Sequence, residues 1–125
     1  MLSITFTFAN HIIMQRIHLG ELEELILLIV AKLYGDAYGI SVKQELEDQT
    51  GRAVNISAIH AGLRRLESKK FVSSAWSEAT AERGGRRKRL FSITDEGKVA
   101  LEHVMETRLK IWNQIPGFDT KTSLS

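Results

Sequence analysis

Between residues 19 and 34, Leu22, Ile26, Ile29 and Leu33 recur at helical spacing, yet the run from 25 to 31 is apolar on every side. A helix lying on one core needs a single apolar stripe; a helix that is apolar all round must bury a second face as well. Seven apolar residues are far too few to span a bilayer. The second face therefore implies a second protein surface, and Leu25 and Leu28 are its first candidates. Glu21, Glu23 and Glu24 favour the positive N-terminal end of this helix.

The remaining segments divide at clear turn signals. After the turn at 34–39 the pattern predicts a second helix over 39–49, with Val42 and Leu46 inward and Lys43, Glu45 and Glu47 outward. Thr50 and Gly51 stop it, Gly51 being suited to the left-handed position past a helix end. A third helix is expected over 57–69, capped by Asn55 or Ser57, with Ile59, Leu63 and Leu66 as its buried stripe. Residues 71–77 and 87–93 read as strands of a hairpin whose long polar tip holds Gly84 and Gly85. Thr94, followed by Asp95 and Glu96, is a hydroxyl cap with two acids in the first turn, opening a helix to about Ile115, where Pro116 and Gly117 end it. At roughly 1.5 Å per residue such a helix is about 30 Å long, more than one small domain needs. Leu101, Val104, Met105, Ile111, Trp112 and Ile115 form its apolar stripe, which Arg108 interrupts.

The expected fold is thus mainly α with a small β-hairpin wing, a winged helix-turn-helix plus a long C-terminal helix. The 125 residues hold one domain. Its organisation is expected to be a leader (1–18), a winged-helix DNA-binding unit (19–93), a dimerisation helix (94–116) and a disordered tail (117–125). The leader is apolar and β-rich. It lacks the basic start and small-residue cleavage site of a secretory signal, and it is read as a disordered leader or as an upstream extension of a chain started at Met14.

Charge is distributed unevenly. The net charge of +2 conceals −4 over residues 1–51, +7 over 52–89 and −1 over 90–125. A basic excess confined to one third of the chain points to a polyanionic partner. No cysteine is present, which excludes disulfides, thiolate metal sites and a cysteine nucleophile, and agrees with a cytoplasmic location. The four histidines, His11, His18, His60 and His103, lack the spacing of a metal site. No cofactor is expected, and no phosphate loop or activated nucleophile supports an enzyme.

The candidate binding residues fall in two groups. Arg83, Gly84, Gly85, Arg86, Arg87, Lys88 and Arg89 place five basic residues in seven positions at the hairpin tip. There, glycines allow close backbone approach and guanidinium groups can reach phosphates or a minor groove. The same run could equally be a solvated turn. On the third helix Ser57, His60, Arg64 and Arg65 could approach bases or phosphates, while Ala58, Ala61 and Gly62 are small enough for a backbone to come near. Either arginine could instead be an ordinary surface residue paired with an acid, and His60 a partly buried, hydrogen-bonded one.

The stretches 19–28, 34–39, 56–67, 82–89 and 93–97, taken in order, resemble the PadR family of transcriptional regulators. The resemblance covers about residues 19–115. It implies a homodimeric repressor acting on a two-fold symmetric operator in double-stranded DNA. It places Ser57, Ala58, His60, Ala61 and Arg64 on the recognition helix and Arg83 to Arg89 on the wing. His60 stands where the family usually has a tyrosine, keeping a hydrogen-bonding ring but losing the phenol. Some members bind flat aromatic compounds between the dimer halves, so Trp112 could stack on a small aromatic effector; packing at the dimer interface is the plainer role. Trp76 is expected to pack. The competing function is a winged-helix module that recruits a protein partner through its long apolar helix.

Overall fold

The computed structural model describes residues 19–78 and 87–118. In chain order these form α1 (Glu21–Lys32), α2 (Gly39–Thr50), α3 (Ile56–Ser68), β1 (Val72–Trp76), β2 (Arg89–Ile93) and α4 (Asp95–Trp112). The expected architecture is present: helices plus a two-stranded antiparallel hairpin in which Val72 faces Ile93 and Trp76 faces Arg89. The leader and the start at Met14, the hairpin tip at 79–86 and the tail beyond 118 lie outside the described residues.

Three helix starts and two helix ends have a local chemical cause. In α1 the Glu23 carboxylate accepts from the Gly20 N–H at 3.1 Å. In α3 the cap is Asn55, whose side chain accepts from the Ser57 N–H at 2.7 Å. Thr94 caps α4 by accepting from the Gly97 N–H at 3.0 Å. These side chains satisfy amide donors that the first helical turn leaves open. Gly51 ends α2 at φ 72°, in the left-handed region. Lys70 does the same after α3 at φ 67°; its N–H donates to the Glu67 carbonyl and that of Phe71 to the Leu66 carbonyl. That double return is the usual way a helix stops at a left-handed residue.

Ile26, Leu27, Ile29 and Val30 of α1 meet Val42 and Leu46 of α2 and Ile59, Leu63 and Leu66 of α3. Phe71, Val72 and Phe91 from the hairpin and Ala100 and Leu101 from α4 complete this core. Gly62 faces into it: a methyl group there would lie 2.5 Å from Ile26 Cδ1, so its smallness serves the α1–α3 contact rather than an outside ligand. The hairpin is fastened to the helices by the Phe91 N–H, which donates to the Ala37 carbonyl at 2.7 Å. It is fastened to α4 by the Thr94 hydroxyl, which donates to the Lys70 carbonyl at 2.7 Å.

Three expectations need correction. Leu101, expected on the dimer face, is buried in the chain's own core. The last helix stops at Trp112, not Ile115; residues 113–118 turn back, with Gly117 at φ 81°, and set the Phe118 ring edge-on to Trp112 at 4.9 Å. Trp76, expected to pack, is 61% exposed.

The candidate nucleic-acid interface

α3 presents its unburied side on the surface shared by the N-terminal end of α2 and the base of the hairpin. Ser57, His60, Arg64 and Ser68 are exposed there, with Ala58 and Ala61 half-buried between them. His60, Arg64, Glu67 and Ser68 from α3 line one shallow concavity of about 440 Å³ together with Arg89 and Phe91 from β2. His60 and Arg64 of α3 and Arg89 and Phe91 of β2, adjacent only through folding, thus share a face.

Two contacts set the edges of this surface. The imidazole of His60 lies against Gly39 at the start of α2, so close that a methyl group on Gly39 would come within 2.5 Å of its Cε1. The missing side chain at Gly39 is what lets the ring sit between the two helices. Lys88 places its ammonium over the Tyr38 ring at 4.4 Å, a cation–π contact that links the wing to the α1–α2 turn. Tyr38 was not singled out from sequence, because nothing in its spacing reveals a partner fifty residues away.

The basic residues are not equivalent. Arg64 and Arg87 have no hydrogen-bond or ion-pair partner among the described residues and are exposed. Arg65 turns toward α1, its Nε 3.3 Å from Glu23 Oε1, where Lys69 also donates at 2.8 Å and 2.9 Å. Of the paired arginines on α3, one is therefore open and the other engaged with an acid on the neighbouring helix. Arg89 is likewise engaged, with Glu67 at 3.2 Å and Ser74 at 2.9 Å. Arg83, Gly84, Gly85 and Arg86 lie outside the described residues.

Burial alone would raise the Glu23 carboxyl, but hydrogen bonds from Lys69 and the Gly20 amide, the Lys69 charge and the Arg65 contact together hold it below its ordinary value. The pair Arg108–Glu24 is two-pronged, with Nε to Oε1 at 3.1 Å and Nη2 to Oε2 at 2.9 Å. The glutamate raises the affinity of Arg108 for its proton further. Arg108, which interrupts the apolar stripe of α4, is the polar tie between α4 and α1.

On these same two helices several apolar side chains are open. Leu28, Met105 and Ile111, all expected at a dimer face, are exposed, and Leu109 joins them. Leu25, Val104, Trp112 and Ile115 are half-buried. The Trp112 Nε1 is buried without an acceptor among the described residues. No described helix is long and apolar enough to cross a membrane.

Comparison with known proteins agrees with this geometry. A family model described as the transcriptional regulator PadR-like family matches residues 26–103. Among solved structures, a PadR family regulator from hypervirulent Clostridium difficile R20291 is 28% identical with a TM-score of 0.58, over 76% of this chain and 97% of that one. A complex structure of hsRosR-S1 is 25% identical with a TM-score of 0.59, over 78% and 79%. Bacillus subtilis PadR in complex with operator DNA is 21% identical with a TM-score of 0.57, a likeness of fold alone; it covers 67% of this chain and 46% of that one, so this chain spans less than half its length. No curated protein matches.

Proposed function

The chain belongs to the PadR-like family of transcriptional regulators, and on that premise we propose that it is a repressor that grips a two-fold symmetric operator as a homodimer. The observation that carries this reading is the common face of His60, Arg64 and the wing base. A helix seated in a major groove would bring Ser57, Ala58, His60 and Ala61 near base edges and Arg64 to a base or phosphate. The wing, from Arg83 to Lys88, would follow the adjacent backbone or minor groove. Membership of a family described as transcriptional regulators supports DNA as the partner here.

Two copies would meet through the exposed apolar side chains of α1 and α4, Leu28, Met105, Leu109 and Ile111, with Val104, Trp112 and Ile115 beside them. A small aromatic effector would compete with Phe118 for the Trp112 ring and so alter how the halves meet. Selection of bound duplexes from a random pool tests the whole reading. It should recover a sequence with two inverted half-sites separated by about one helical turn, or a multiple of it. Recovery of no shared sequence, with binding equal for every duplex, would contradict it.

A further inference from the structure

Arg89 closes the basic run and opens β2, yet its surroundings differ from those of its neighbours. Its Nη2 lies 3.2 Å from Glu67 Oε1, and its Nε donates to Ser74 Oγ at 2.9 Å. The Ser74 hydroxyl in turn donates to Glu67 Oε2, closing a triangle. The guanidinium also sits 5.8 Å from the Trp76 ring centre and 6.0 Å from that of Phe91. Glu67 belongs to the last turns of α3, Ser74 to β1 and Arg89 to β2, so the triangle joins the helix to both strands. Arg87, two residues away, has no such partners among the described residues.

A lone surface ion pair holds little. Here the carboxylate is shared with a hydroxyl that itself accepts from the arginine, which fixes the geometry of both. The Nε–H and one Nη2 hydrogen of Arg89 are spent on Ser74 and Glu67, and a phosphate drawn to the remaining N–H groups would sit beside the Glu67 carboxylate, whose charge opposes a polyanion. We propose that Glu67 and Arg89 are positioning residues: they tie the wing to the C-terminal end of α3 so that both meet the duplex at one angle, and Arg89 makes no phosphate contact of its own. This rests on the DNA-binding reading above.

Salt dependence separates a positioning role from a contact, because each phosphate contact adds about 0.9 to the slope of log affinity against log salt. Fluorescence anisotropy of the intact chain, on random duplex and on the duplex recovered by selection, supplies both slopes. Arg87→Gln should flatten the slope by about 0.9 per subunit. Arg89→Gln should leave the slope unchanged while weakening the selected duplex about tenfold more than the random one. Glu67→Gln, which frees Arg89, should steepen the slope and also narrow the preference for the selected duplex. The inference is overturned if Arg89→Gln flattens the slope as Arg87→Gln does, or if Glu67→Gln alters neither slope nor preference. Salt-independent binding by the parent would instead contradict the DNA reading itself.

Discussion

Gly97 and Gly39 show how much depends on an absent side chain. A methyl group on Gly97 would lie 2.2 Å from the Phe71 carbonyl oxygen and 2.8 Å from Ile93 Cγ1. The first is backbone and cannot step aside, so the Thr94-Asp95-Glu96-Gly97 sequence is a cap that must also clear the chain entering β1. Gly97→Ala is expected to destabilise the fold by about 3 kcal/mol, measured by chemical denaturation; a midpoint equal to the parent's would refute this. At Gly39 the obstacle is the far end of the His60 side chain, which can move. Gly39→Ala should therefore keep the fold while displacing the imidazole. Thermal unfolding should change by less than about 1 kcal/mol, and affinity for the selected duplex should fall if His60 touches DNA.

At the scale of elements, charged ties between helices decide what the basic residues can do. Glu23 joins the start of α1 to Arg65 and Lys69 at the end of α3. Its carboxyl is held below the ordinary value when folded, so the stability it adds is fully present above its unfolded value and is lost as pH falls through the folded one. Glu23→Gln should lower stability at neutral pH by about 1.5 kcal/mol and make the loss on acidification shallower. Urea unfolding across the carboxylate range would show both effects, and an unaltered acid slope would exclude this role. Element order and capping were legible in the sequence, because the apolar spacing of Ile59, Leu63 and Leu66 and the cap chemistry of Asn55 and Thr94 are local. The partners of Arg65, Arg89 and Arg108 were not legible, since Glu23, Glu67 and Glu24 lie 42, 22 and 84 residues away. Spacing likewise could not show that Leu101 turns inward while Leu109 turns out, or that Trp76 lies open: each depends on where α1 and the hairpin pack.

On the scale of the whole molecule, the apolar excess of α1 divides between the core and the surface. Ile26 and Leu27 fill the chain's own core, while Leu28 remains open together with Met105, Leu109 and Ile111 on α4. If those side chains join two copies, Ile111→Glu should convert the dimer to monomer in sedimentation velocity and weaken operator binding without unfolding the winged helix. A parent already monomeric at micromolar concentration would contradict the dimer. The central claim, that α3 reads sequence while the wing supplies charge, is tested most directly at Arg64, exposed and unpaired among the described residues. Titrating Arg64→Ala and the parent against the selected duplex and a scrambled one gives the answer in a single comparison. Arg64→Ala should lose about 1–3 kcal/mol on the selected duplex and much less on the scrambled one; equal losses on both, or none on either, would overturn sequence reading by α3.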